Sequence, residues 1–409
     1  MNTKIKTIFI VMFTFSFIFM LALEFTLPSE RNDEVYFCEY FNDGWQQIHS
    51  DGTAEDVDIP ANLISDNEDE TIIETTLPDN VKDDTYIITR SVRADMVIYI
   101  DGEVRASYST SESRLWGKTN PANFVYASLG PMDSGKVVTI YTSTEDYYAG
   151  IFYDIYYANY AGFWAHMANE NMPTFIFAFV VFVVAFLSLM VSLAFIIILG
   201  KDIKFTWLSM EVLLVSTWMI TNSVFRQIIF PNVSIISDVS FFCVLFMVIP
   251  ITEYMNLLQQ NRYRKFYLGV EIYSLIAAIA AIILQLFKIY DFAETFNYYA
   301  IAIPVMVTMT FMTIIWDIKT GKIKEYLVIA VIFFCTAVVA LIQLGAYVLR
   351  NVDFDISINA ATMLLLLFAG IMDTIKEVIS LQKDKQTAVV ASEMKTEFLA
   401  NMSHEIRTP

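Results

Sequence analysis

Apolar positions along this chain follow two registers. Between residues 24 and 168 they come in short β-rich runs divided by turn signals: Thr71–Leu77, Tyr86–Arg93, Met96–Ile100, Lys136–Thr142 and Ile151–Tyr157. Runs of this length, without helical periodicity, predict an all-β sandwich. Asp101-Gly102 directly after Met96–Ile100 predicts a hairpin, because the favoured two-residue turn needs positive φ at both positions. From Pro173 the pattern becomes seven apolar stretches: 173–199, 206–225, 239–258, 267–287, 298–316, 326–349 and 356–373. Each is near the ~20 residues that a helix needs to cross a bilayer. An eighth precedes them, Ile8–Leu23 after Lys4 and Lys6. It is a signal peptide or an uncleaved anchor. Leu21-Ala22-Leu23 before Glu24 is no small-x-small cleavage site, which favours the anchor.

The connecting loops orient these crossings. Loops 200–205, 259–266 and 317–325 carry Lys201 and Lys204; Arg262, Arg264 and Lys265; and Lys319, Lys322 and Lys324. The opposite loops carry Arg226, Lys288 and Arg350. This excess places the first set in the cytoplasm by the positive-inside rule. Residues 24–168 are then outside, and eight crossings return the C-terminus to the cytoplasm. The expected fold class is a membrane all-α bundle of eight transmembrane helices including the anchor, with an extracytoplasmic all-β domain and a C-terminal helical linker.

Composition agrees with a membrane chain: 56% hydrophobic residues and a mean hydropathy of +0.51. The net charge of −18 is local, since residues 24–168 hold 26 acidic and 8 basic side chains. Such a block argues against nucleic acid and against docking on an anionic lipid surface. Of the three cysteines, Cys243 and Cys335 lie in apolar runs and Cys38 in the polar region, so no disulfide framework is expected. No His/Asp/Glu cluster with metal or acid–base spacing lies in the crossings. The run 356–373 has no lysine for a retinal Schiff base. No pair of broken helices suggests a transporter.

After 373 the helix meets no stop signal. Residues 371–397 contain no Gly or Pro, and Ile371, Ile375, Val378, Gln382, Lys385 and Val389 recur at three- and four-residue steps. This diluted seam is either a solvated linker or a marginal coiled coil able to shift register. It leads into Phe398-Leu-Ala-Asn-Met-Ser-His-Glu-Ile-Arg-Thr-Pro409. On a helix, with His404 at zero, Leu399, Met402 and Ile406 fall at about 220°, 160° and 200°. Ala400 and Thr408 flank the histidine at about 40°. The pattern buries the Leu399–Met402–Ile406 stripe, whose expected fate is a homodimeric four-helix bundle. It presents His404 to solvent between small neighbours. Glu405 can hold one ring nitrogen protonated and leave the other nucleophilic.

That twelve-residue string resembles the phosphoacceptor box of bacterial sensor histidine kinases. The order of parts is similar to the seven-transmembrane receptors with diverse intracellular signalling modules, in their histidine-kinase form. The resemblance implies that His404 accepts the γ-phosphoryl group of ATP, that Glu405 is the adjacent base, and that Thr408 serves the reverse phosphatase reaction. Pro409 would bend the helix. It further implies a homodimer through the C-terminal helices, a response regulator as phosphate acceptor, and a place in the bacterial cytoplasmic membrane. The family's ATP-binding domain is not found in these 409 residues, and no Gly-rich phosphate loop precedes the box. ATP is expected through that domain, supplied beyond Pro409 or by a separate polypeptide. The second reading is a membrane receptor or ligand-binding protein without kinase activity of its own.

The expected domains are 1–23 (signal anchor), 24–168 (sensor), 169–373 (seven crossings), 374–395 (linker) and 396–409 (start of the dimerisation and phosphoacceptor helix). Gly44-Trp45, Ile59-Pro60 and Val97–Gly102 resemble jelly-roll modules related to sugar-binding domains, which implies a small extracellular ligand of the carbohydrate class. Tyr147, Tyr148, Tyr153, Tyr156, Tyr157 and Tyr160 either stack on a sugar ring or fill strand faces. The second is favoured, with Phe163 and Trp164 completing an aromatic belt at the membrane surface. Glu211 and Glu271 are carboxylates within apolar runs. Pairing or snorkelling with Lys204, or with Arg262, Arg264 and Lys265, is favoured over a pH-sensitive relay between them. Asn261-Arg262-Tyr263 is read as a basic juxtamembrane loop.

Overall fold

The computed structural model describes residues 3–27, 35–63, 70–144, 150–199, 204–349 and 357–407. The first helix, α1, spans Thr3–Thr26. Among the described residues twelve strands follow: β1 (Cys38–Tyr40), β2 (Trp45–Ile48), β3 (Ala54–Val57), β4 (Ala61–Asn62), β5 (Glu70–Thr76), β6 (Thr85–Ser91), β7 (Asp95–Ile100), β8 (Glu103–Tyr108), β9 (Asn123–Leu129), β10 (Val137–Ser143), β11 (Ile151–Phe152) and β12 (Tyr156–Ala158). Ten α-helices come after them among the described residues: α2 (Tyr160–Leu199), α3 (Lys204–Thr221), α4 (Arg226–Ile229), α5 (Val233–Phe246), α6 (Val248–Leu258), α7 (Arg264–Leu286), α8 (Phe292–Ala300), α9 (Ala302–Lys319), α10 (Leu327–Leu349) and α11 (Ser357–Arg407).

All strand pairs are antiparallel. One sheet has the order β1-β12-β6-β9, a second β3-β2-β5-β10-β7-β8, and a short pair joins β11 to β4. Alternation decides which side chains go inside: in β7, Met96, Ile98 and Ile100 are buried and their neighbours are not. They meet Ile73, Val138 and Ile140 of the same sheet and Ile87, Val125, Ala127 and Tyr157 of the other, so the two larger sheets share one core. Each such aliphatic side chain contributes about 1.5–3 kcal/mol by leaving water. The hairpin expected at Asp101-Gly102 is present, with φ of 53° and 77° joining β7 to β8. The β7–β8 register shifts between Ile98 and Tyr99, leaving Arg105 without an opposite residue. Arg105 reaches Asp133 instead, with two guanidinium nitrogens at 2.9 and 3.1 Å.

The four-stranded sheet is buried on its second face as well. Ile88, Phe124, Tyr156 and Ala158 pack there against Phe163 and Met167, one turn apart in the first part of α2. This corrects the reading of Phe163 as part of a membrane-surface belt: it is fully buried under the sheet. Tyr156 and Tyr157 are buried on opposite faces, as neighbours on a strand must be. Tyr147 and Tyr148 lie outside the described residues.

Among the described residues, five helices are long and apolar enough to cross a membrane: Tyr160–Ile198, Val233–Leu258, Arg264–Leu286, Phe292–Lys319 and Leu327–Gly345. They are consistent with a membrane protein. A shorter apolar stretch, Val11–Met20, lies in α1. The expected crossing 206–225 is the 18-residue α3, and the expected crossing 356–373 opens the 51-residue α11. Neither is among the five.

The chain divides into two compact units. One holds residues 1–177, 218–242 and 279–297, and therefore α1, the sheets, α4, most of α8 and the adjoining parts of α2, α3, α5 and α7. The other holds 178–217, 243–278 and 298–409, in which α10 packs along α11.

Candidate functional site

His404 and Glu405 lie in the last turn of α11, on a helical backbone that is continuous with Ser357. The stripe Leu399, Met402 and Ile406 lies on the same helix. Thr408 and Pro409 fall outside the described residues. The structure thus gives the predicted acceptor histidine a helical backbone and joins it, without a break, to the apolar first turns of α11.

Those first turns are held by α3. A Cβ on Gly370 would lie 2.3 Å from Leu208 Cδ2 and 3.4 Å from a Phe205 ring carbon, so the helices approach closely here and a larger residue would oblige the Leu208 side chain to shift. One turn on, Lys204 Nζ meets Asp373 Oδ2 at 2.8 Å. These contacts run in opposite directions along α3 and α11, so the helices are antiparallel there. Lys204 therefore does not pair with Glu211. Glu211 is 4% exposed, and its Oε2 has no hydrogen-bond partner among the described residues. Glu271 does find a cation: Arg264 Nη1 lies 3.2 Å from Glu271 and also bonds Glu253 at 2.5 Å.

Asn261-Arg262-Tyr263 does more than supply basic charge. Asp317, at 0% exposure, accepts Arg262 Nη2 at 2.7 Å, Tyr263 OH at 2.8 Å and Tyr326 OH at 2.6 Å. Arg262 also reaches Glu325 at 3.2 Å. Gln259 continues the network, donating to Thr313 and Tyr326 and accepting from Tyr267. A buried carboxylate with three donors satisfies its lone pairs, which is what makes its burial tolerable. The network ties the α6–α7 junction to the end of α9 and the segment before α10.

In the other unit, the β8–β9 connection docks on helix ends. Asn120 shapes it, accepting from the Thr110 amide at 2.8 Å and hydroxyl at 2.7 Å. The Trp116 indole N–H donates to Asp238 Oδ2 at 2.5 Å, and Gln285 Nε2 donates to the other oxygen at 3.2 Å. Asp291, just before α8, accepts the amides of Lys118 and Thr119 at 2.6 and 2.7 Å and the Thr119 hydroxyl at 2.5 Å. Lys118 Nζ lies 3.4 Å from Glu294. Gly117 makes the approach possible, with φ of +79° and its amide on the Gln285 carbonyl at 3.2 Å. A second contact comes from α4, where Gln227 accepts the Phe124 amide and donates to Tyr126 OH, each at 2.8 Å. Arg226 donates to the Ala122 carbonyl. Burial, then Tyr160, holds the Tyr126 phenol above its ordinary pKa, so it stays neutral.

These joints position the loop and the helix ends. Among the described residues no group of three or more His, Cys, Asp or Glu side chains is arranged to hold a metal. Burial, then Glu170 and Glu39, pushes the Cys38 thiol up to about 12, which leaves it without a thiolate at neutral pH. Asp238, Asp291 and Asp317 escaped the sequence reading, although Asp291-x-x-Glu294 has capping-box spacing and Asp238 and Asp317 are lone acids beside apolar runs. Comparison with family models, curated proteins and solved structures finds no match to the chain.

Proposed function

We propose that this chain is the sensory and membrane part of a two-component sensor histidine kinase, with His404 as its phosphoacceptor. The observation that carries the reading is α11: one 51-residue helix holds both apolar turns and residues 398–407 of the box, His404 included. A rigid helix of that length transmits a shift at one end to the other. In this reading the chain crosses the bacterial membrane eight times, with α1, α3 and the start of α11 added to the five long helices. The sheets form an extracytoplasmic jelly-roll-like sensor for a small ligand such as a carbohydrate. The loop carrying Trp116 and Gly117 passes its state to the helix ends. A homodimer forms through the C-terminal helices. Glu405 serves as base, Thr408 serves the phosphatase reaction, and a response regulator takes the phosphoryl group. ATP enters through the family's ATP-binding domain, in cis or in trans.

The test is phosphate chemistry. The full chain in proteoliposomes, given ATP and a histidine-kinase ATP-binding domain that labels a control acceptor helix, should acquire acid-labile, base-stable phosphate. His404→Gln should remain unlabelled. A wild-type chain that stays unlabelled beside a labelled control sinks the proposal.

A further inference from the structure

One stretch of α2 borders a groove rather than a neighbouring helix. Six residues from Val184 to Phe195 recur at three- and four-residue steps along one wall. Phe205 of α3 and Ile371, Thr374 and Ile375 of α11 form the other. The groove holds about 320 Å³. Its lining is apolar, and its hydroxyls are occupied where bonds are seen: Ser192 Oγ donates to the Leu189 carbonyl at 3.0 Å and Thr374 Oγ1 to the Gly370 carbonyl at 2.8 Å. A slot lined this way offers water few partners.

Its length can be compared with that of a lipid chain. Eleven residues of helix rise about 16 Å. That is close to half of the ~30 Å hydrocarbon core, the depth of one leaflet. The wall also opens sideways, since Leu187 and Val191 are 57% and 54% exposed. An apolar slot one leaflet long, on a helix suited to a bilayer, faces lipid chains. We propose that it is a binding site for a single acyl chain of a membrane lipid, in the leaflet at the C-terminal end of α2.

The site has a consequence for α11. One flank of that helix is fixed by α3, through Gly370 against Leu208 and Lys204 against Asp373. The other flank, at Ile371, Thr374 and Ile375, is supported by the bound chain. The acyl chain then acts as a wedge that sets the spacing of α2 and α11. This inference rests on α2 lying in a bilayer and not on phosphate transfer to His404.

The experiment reads contact directly. The full chain is placed in nanodiscs of phosphatidylcholine carrying a diazirine at mid-chain, irradiated, and the adducts are mapped by peptide mass spectrometry. Expected is adduct density on 184–195 and 371–375 about tenfold above that on the uncovered α7 face, the ratio that ~1.4 kcal/mol of preference gives. Ile272, Leu275 and Ile276 define that face, at 49%, 46% and 62% exposure. Ser188→Phe, which fills the groove, should abolish the excess and leave α7 labelling intact. Should that variant fail to reach the membrane, the wild-type ratio alone decides. Equal density on the two faces overturns the site and leaves only general lipid contact.

Discussion

Two glycines at positive φ allow backbone strain to be separated from the loop joint. Gly102 has φ of +77° and Gly117 of +79°. Alanine at either must take up the left-handed region, at about 1–2 kcal/mol. At Gly102 nothing lies within 4 Å of the new Cβ, so strain is the whole effect. At Gly117 the Cβ would lie 2.6 Å from Gln285 Nε2 and 3.1 Å from Asp291 Oδ1. Gln285 has little freedom to yield, because its Nε2 is tied to Asp238 and its Oε1 to the Phe292 amide at 2.8 Å. The loop must retreat instead, stretching the Asp291 bonds to Lys118 and Thr119. Hydrogen bonds to a charged group are worth about 1.5–3 kcal/mol each. Losing one, or weakening two, puts Gly117→Ala about 2–4 kcal/mol below Gly102→Ala.

Amide hydrogen exchange is the assay, because the Lys118 and Thr119 amides are themselves the donors to Asp291. In the purified full chain, Gly117→Ala should speed their exchange by about 30- to 1,000-fold, the ratio that 2–4 kcal/mol gives. Gly102→Ala should leave them as protected as wild type. Equal protection of these two amides in both variants would refute the reasoning: Asp291 would not be what holds the loop.

Three further perturbations test other joints. Burial raises the Asp133 carboxyl, but Lys136, the Gly130 amide and Arg105 outweigh it and hold it at about 2. Its folded pKa is depressed below the ~3.9 of the unfolded chain, so it contributes about 2–3 kcal/mol above pH ~4, lost as pH falls through about 2. The stability gap between wild type and Asp133→Asn, measured by thermal unfolding, should therefore close from pH 5 to pH 2; a gap that does not change with pH contradicts the assignment. Asp317→Asn leaves Arg262 short of a buried counter-charge and should destabilise the chain by about 3–5 kcal/mol, with much of the loss recovered in Asp317→Leu/Arg262→Met; thermal melts in detergent that show no loss would remove the lock. Gly370→Ala should destabilise by about 1–3 kcal/mol through overpacking against Leu208, and adding Leu208→Ala should restore part of it; a double variant that melts below both singles would place the clash elsewhere.

The outline was legible where a local rule suffices. Five expected strand runs lie over β5, β6, β7, β10 and the β11–β12 segment, and Asp101-Gly102 marks its turn by chemistry alone. The shorter β1, β2, β3 and β4 were missed, because two to four residues carry too little alternation. β9, Asn123–Leu129, was missed for another reason: its sheet is buried on both sides, so Phe124 and Val125 are both inside and the strand does not alternate cleanly. Phe163 was misread for the same cause. Near an expected crossing it looked like an interfacial aromatic, yet the open face of a sheet supplied a drier place.

Partner choice was the least legible feature. Trp116 lies 122 positions from Asp238, and Lys118 lies 173 from Asp291. In apolar surroundings a polar side chain must take its partner from whatever helix is adjacent, and spacing along the chain is silent about that. Glu211 shows the rule at work. Lys204 is its nearest cation on α3 and lies within about 20° of it around the helix, which made pairing an economical reading. The two are seven residues apart, however, a rise of about 10 Å. Asp373 comes to 2.8 Å of the same lysine from α11. Closeness across helices wins over closeness along one, and the lysine that would have neutralised Glu211 instead holds the helix that carries His404.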